Sequence, residues 1–134
     1  MKIMLDTDIC IYLIKHNPPI VLEHFDKYQV GDIGISSITL SELRYGVAKS
    51  LHREKNYEAL EEFLIPLEII PFDENAAETC GDLRAALEQS GKLIGAMDML
   101  IAAHALSLGM PLATNNVREY SRIHSLHILD LTSV

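Results

Sequence analysis

The stretch Lys2-Ile3-Met4-Leu5-Asp6-Thr7-Asp8-Ile9 decides how the rest of the chain is read. Lys2 to Leu5 is a short apolar run that reads as a buried strand. It ends abruptly at Asp6. Asp8 then offers a cap for a helix over Ile9 to His16, and Asn17, Pro18 and Pro19 break that helix. A strand running straight into acidic residues and a helix is the first half of a parallel βαβ unit. Such units repeat along the chain. Helices are predicted over Ile20 to Tyr28, from Ser36, Ser37 or Thr39 through Ser50, and over Arg53 to Leu64. Two more cover Glu74 to Ser90, closed by Gly91, and Met97 to Leu108, closed by Gly109. A short one lies near Val117 to Ile123. The intervening strands are Gly31 to Ile35, Glu68 to Pro71, Pro111 to Ala113 and Leu126 to Leu129. Short apolar strands alternating with helices predict an α/β fold, with a central, mostly parallel sheet flanked by helices on both faces.

The chain has 134 residues, the size of one domain, and 49% of them are hydrophobic, enough for one sizeable core. No repeat, low-complexity tract or long linker divides it. The N-terminus does not read as a secretory signal, because Asp6 and Asp8 interrupt the apolar run. No run approaches the roughly 20 apolar residues of a membrane span. A cytoplasmic protein is the expectation. Cys10 and Cys80 stand far apart in apolar contexts, and read as buried thiols. The net charge of −8 argues against a broad basic surface gripping nucleic acid. It is compatible with carboxylates gathered for a cation, and with a basic protein partner.

In a parallel sheet, chemistry is expected at the carboxyl ends of the strands. Asp6 follows the first strand. Glu42 lies early in the helix after the second. Asp98 opens the apolar helix Met99 to Leu108. Asn115, Asn116 and Glu119 follow the strand Pro111 to Ala113. Each has a structural role open to it: Asp6 can fix a turn, Thr39 and Glu42 fit a capping box, and Asp98, Asn115 and Asn116 can cap helices. Together they would bring carboxylates from distant segments into one crevice. Such a cluster repels itself unless a cation compensates it, and a hard ion such as Mg²⁺ or Mn²⁺ suits oxygen ligands.

Four segments carry a family resemblance. Met4-Leu5-Asp6-Thr7-Asp8-Ile9, Ile38-Thr39-Leu40-Ser41-Glu42-Leu43-Arg44-Tyr45-Gly46, Ile94-Gly95-Ala96-Met97-Asp98-Met99-Leu100-Ile101-Ala102-Ala103 and Leu112-Ala113-Thr114-Asn115-Asn116-Val117-Arg118-Glu119-Tyr120 occur in order. They resemble the motifs of PIN-domain ribonucleases, and of the VapC toxins of toxin–antitoxin pairs in particular. The resemblance runs from about residue 3 to residue 130. It implies a single PIN domain over residues 1–134, a three-layer sandwich, and Mg²⁺-dependent endonucleolytic cleavage of RNA by a metal-activated water.

The products implied are a 5′-phosphate and a 3′-hydroxyl. Asp6 and Asp98 would be the main metal ligands. Glu42 would ligate through water or orient the attacking water. Many PIN domains carry an aspartate where Asn116 stands, so the fourth role falls to Glu119 or to Asn116. Asp8 replaces an asparagine often found there. Thr7 and Thr114 flank the cluster and could hold ligands or phosphate. Arg44, Lys49 and Arg53 are candidates for phosphate contacts.

Structured RNA, transfer RNA first, is the substrate class implied. A VapB-like antitoxin and a second copy of the chain are the implied partners. The first helix, Ile9-Cys10-Ile11-Tyr12-Leu13-Ile14, is apolar on every side. With the 18–25 region it is expected to meet another chain; the alternative is a helix sandwiched between the sheet and the second helix. Two other readings of the acidic cluster stand beside the nuclease. One is a phosphohydrolase of the haloacid-dehalogenase type, with Asp6 as nucleophile. The other is a non-catalytic RNA-binding or regulatory module.

Overall fold

The computed structural model describes residues 1–16 and 19–131. Five strands, β1 (Ile3–Leu5), β2 (Ile33–Ser36), β3 (Glu68–Ile70), β4 (Leu112–Thr114) and β5 (Ile128–Asp130), form one sheet in the order β3-β2-β1-β4-β5. All four pairings are parallel. Seven helices are described: α1 (Thr7–Lys15), α2 (Pro19–Phe25), α3 (Ser37–Ala48), α4 (Arg53–Leu64), α5 (Glu74–Gln89), α6 (Ala96–Leu108) and α7 (Val117–Tyr120). No described helix is long and apolar enough to cross a membrane.

The period-2 alternation of a strand divides the core in two. Met4 and Leu112 point to one face, where α5 and α6 supply Leu87, Met99, Ile101 and Ala105. Ile3, Leu5, Ile35 and Ala113 point to the other, against Ile9, Cys10, Leu43 and Leu60 from α1, α3 and α4. Sheet strands buried on both faces read as continuous apolar runs, as Ile3-Met4-Leu5 does. The expected three-layer sandwich is the observed architecture.

Local boundaries differ from the sequence reading where a turn decides them. α1 starts two residues earlier than expected, because Asp6 caps it and Asp8 falls in its first turn. His16, in the left-handed region at φ 55°, ends the helix. Pro19 opens α2 rather than breaking a helix, its fixed φ suiting the first turn. Asn17 and Pro18 lie outside the described residues. Ser36 caps α3 through its hydroxyl, which accepts the Ile38 N–H at 3.1 Å. The capping box of Thr39 and Glu42 therefore does not form, and Thr39 is buried within α3 with no partner for its hydroxyl. Asp98 is the third residue of α6, which starts at Gly95 as cap, so it is no cap either. Asn115 precedes the cap of α7, which is Asn116, and no side-chain bond from Asn116 completes it.

The first helix is sandwiched and also partly open. Ile9 and Cys10 are buried, while Ile11, Tyr12, Leu13 and Ile14 are only half-buried against the second core.

Candidate active site

The sheet order places β1 at the centre, with the chain crossing to β2 on one side and to β4 on the other. The crevice between β1 and β4 is the topological switch point, where open α/β sheets bind ligands. Asp6 leaves β1 here, and its N–H donates to the Ala113 carbonyl of β4 at 3.0 Å. Asp6 is 3% exposed. Its Oδ1 accepts the Ile9 N–H at 2.9 Å, and its Oδ2 accepts the Thr114 hydroxyl. Thr114 Oγ1 in turn accepts the Asn116 N–H at 2.9 Å. One residue thus caps α1 and opens onto the crevice. Burial pushes the Asp6 pKa up to about 7; the Thr114 and Ile9 bonds work against this, and the charges of Asp8 and Asp98 add to it.

Asp98 comes from the first turn of α6, where a carboxylate faces the positive end of the helix. Burial, first, and then the neighbouring charge of Glu119 push its pKa up to about 6, with Glu42 adding to the effect. Asp98 and Glu119 hydrogen-bond to each other. Two carboxyl groups can do so only by sharing a proton. Partial burial works to raise Glu119, but is outweighed by the Gly95 N–H at 2.8 Å, the Asn116 amide at 2.8 Å and the Asp98 contact, so its pKa is lowered. Of the two, Asp98 is the one that holds a proton more tightly. Gly95 lies against both groups: a Cβ there would stand 3.4 Å from Asp98 Oδ2 and 3.6 Å from Glu119 Oε1. Glu42 reaches the same end of the sheet from α3 and accepts the Thr7 hydroxyl at 2.6 Å.

The sequence-predicted residues separate into those gathered here and those that are not. Across the crevice, Asp98 feels the charges of Glu119 and Glu42, and Asp6 feels that of Asp98. Asn116 orients Glu119. Thr7 holds Glu42. Thr114 is fully buried and orients Asp6, which leaves it no surface for phosphate. Arg44 is ion-paired with Glu61 of α4 at 2.6 Å and lies over the Tyr57 ring. Lys49 sits over the Tyr45 ring. His104 is buried with Nδ1 2.8 Å from the Ser36 hydroxyl, and its pKa is lowered by burial.

Two residues escape the sequence reading. Gly95 supplies a backbone donor to Glu119, and Tyr120 donates its hydroxyl to Asp98 Oδ1 at 3.1 Å. The signal for Tyr120 was its polar tip on an otherwise apolar position, since a buried tyrosine needs a partner. Tyr120 is 1% exposed and its ring belongs to the first core. Tyr120→Phe keeps the ring and removes only the tether on Asp98. The expected result is an unchanged fold by circular dichroism and divalent-metal binding weakened about tenfold by calorimetry, the size of one hydrogen bond to a charged group. Undiminished affinity would show that the hydroxyl does not position Asp98.

The donor set fits a hard divalent ion. It is entirely carboxylate oxygen, and neighbouring carboxylate charge adds to the raised pKa of both Asp6 and Asp98. Among the described residues, no three of His, Cys, Asp and Glu already converge on one ion position. Two protein carboxylates with the remainder from solvent is the habit of Mg²⁺.

Residues 3–125 match the PIN domain family. The chain belongs to this family. Within it, the chain is 42% identical over 130 residues to the tRNA(fMet)-specific endonuclease VapC of Shigella flexneri, covering 97% of this chain and 98% of that protein. It is 44% identical over 126 residues to Ribonuclease VapC2 of Haemophilus influenzae, covering 94% and 95%. Its fold superposes on the VapC-type chain in DNA-bound VapBC from Salmonella typhimurium with a TM-score of 0.92 at 43% identity, covering 98% of each. PIN-domain nucleases are generally dependent on divalent metal. The phosphohydrolase alternative finds no support in these relatives.

Proposed function

We propose that the chain is the toxin of a toxin–antitoxin pair, a single-domain endoribonuclease of the cytoplasm that uses Mg²⁺, or Mn²⁺ in its place, to cleave transfer RNA. The observation that carries the reading is the packing of Asp6, Asp98 and Glu119 at the switch point, carboxylates drawn from three distant segments and crowded together. Asp6 and Asp98 would hold the ion. When bound, it would lower the pKa of water and offset charge on the phosphoryl oxygens. Asp6 is fixed by its helix-cap bond and by Thr114, so it offers its oxygens without reorganisation. Glu42, restrained by Thr7, is placed to orient or deprotonate an attacking water. Glu119, held by Gly95 and Asn116, keeps Asp98 facing the crevice, with Asn116 acting through it. The Shigella relative is specific for initiator transfer RNA by its name; for this chain that substrate is a proposal. The test is incubation with a total transfer-RNA pool in Mg²⁺ or in chelator. Fragments with 5′-phosphate and 3′-hydroxyl ends, formed only with the metal, support the reading. An untouched pool, and equally untouched total cellular RNA, overturn it.

The antitoxin has a place to dock. An apolar groove of about 350 Å³ runs between α1, α3 and α4, lined by Ile11, Ile14, Leu43, Val47 and Leu60, with Glu42 at one end. On this reading the half-buried side of α1 is a partner surface. An apolar peptide segment carrying a basic residue fits both the groove and the acidic crevice it leads to. A second copy of the chain is proposed as the other partner. Gly46 lies in the groove wall, and a Cβ there meets nothing within 4 Å. Gly46→Glu is therefore expected to fold and to cleave RNA, while losing at least a hundredfold in affinity for a co-expressed antitoxin on a pull-down titration. Full retention of the complex would place the antitoxin elsewhere.

A further inference from the structure

The groove that begins at Gly95 and Glu119 does not end there. One depression of about 350 Å³ is lined by Leu93, Gly95, Arg118, Glu119 and Arg122. A second, of about 470 Å³, continues from the same Arg122 past Gly91 and Lys92 to Ser121 and His124. Each has a volume ordinary for a ligand site. Among the described residues, three cations line the path and Glu119, at its inner end, is the only carboxylate. In a chain of net charge −8 this is a local reversal of sign. Among the described residues, Lys92, Arg118 and Arg122 have no carboxylate within ion-pair distance, as holds for most lysines and arginines of the chain. Arg122 is also preset: its guanidinium donates to the Leu93 carbonyl at 2.7 Å. A carbonyl does not neutralise that charge, which also acts on Glu119 beside it.

We infer that this groove is the track along which the RNA backbone leaves the cleavage site, with Lys92, Arg118 and Arg122 holding successive phosphates. The inference rests on the nuclease reading and adds to it where the strand lies. The cations named from the sequence as phosphate contacts, Arg44, Lys49 and Arg53, are not on this path; Arg44 is neutralised by Glu61. Phosphate contacts fix register without reading bases, so the groove sets which bond reaches Asp6 and Asp98.

The test compares two double variants of the full chain with the same change in net charge. Lys92→Glu with Arg118→Glu alters the groove. Lys27→Glu with Arg84→Glu alters exposed cations elsewhere. Both are made in the Asp98→Asn background for binding to a labelled transfer-RNA pool, and in wild type for cleavage; melting temperatures confirm that each folds. The groove pair is expected to weaken binding at least tenfold, to slow cleavage likewise, and to flatten the dependence of log affinity on log salt by about one to two units. The control pair should do much less. Equal effects of the two pairs, with wild type still cleaving, would overturn the track and leave the nuclease standing. So would normal cleavage by the groove pair together with loss of antitoxin binding, which would give the groove to the protein partner. Neither binding nor cleavage by the parent proteins would remove the nuclease reading and the track with it.

Discussion

Stripped of divalent metal, the protein is expected to lose stability as pH rises from about 4 to about 7, and to regain it when Mg²⁺ is added at pH 8. The sign follows from Asp6. Its folded pKa, about 7, lies above its unfolded value near 3.8. The folded state therefore holds a proton that the unfolded state has already released, and its stability falls across that interval. The contribution is fully present below the unfolded pKa and gone above the folded one. A shift of this size corresponds to roughly 4 kcal/mol, on the order of 10 °C in melting temperature for a domain of this length. Asp98, raised to about 6, acts in the same direction over a narrower window, and being half exposed it adds little. Glu119 is lowered and opposes them weakly. A cation in the crevice supplies the charge the proton supplied, so with saturating Mg²⁺ the downward slope should largely vanish. The check is thermal melting from pH 4.5 to pH 8.5 with chelator and with Mg²⁺. A metal-free melting temperature that rises steadily to pH 8, unaffected by Mg²⁺, would contradict the arrangement.

The second large effect is at Asp98. Asp98→Asn removes one charge from a crowded set and retains a group that can still accept the Tyr120 hydroxyl. The variant is expected to melt slightly above wild type at pH 8 without metal, because the repulsion from Glu119 and Glu42 is relieved. It should also lose most of the stabilisation by Mg²⁺ and about a thousandfold in cleavage rate, about 4 kcal/mol of transition-state stabilisation. Stability rising while activity disappears is the mark of a site strained for function. A variant that melts lower than wild type without metal would make Asp98 a structural residue instead.

The fold was legible because its signals are local. Ile3-Met4-Leu5 ends at a charge, Gly91 and Gly109 close helices through positive φ, and the strands alternate with helices of ordinary length. The misplaced details share one cause. Asp6 and Asp8 are equally good caps by composition, and only the exit angle of β1 selects Asp6. Thr39 and Glu42 have the spacing of a capping box, but the chain turns at Ser36, three residues sooner. The four acidic positions were legible as motif residues, whereas their partners were not. Thr114 is 108 residues from Asp6, and its use as the bracket of that carboxylate depends on β4 lying beside β1. Thr7 and Glu42 are 35 residues apart. The cationic groove was missed for the same reason, since Lys92 and Arg118 come to line neighbouring depressions only when the loop before α6 folds against α7.

The most direct measurement is cleavage of a total transfer-RNA pool in Mg²⁺ by wild type and by Asp98→Asn side by side. The prediction is discrete fragments from wild type and an intact pool from the variant. Equal cleavage by both would contradict the assignment of the acidic crevice as the catalytic site.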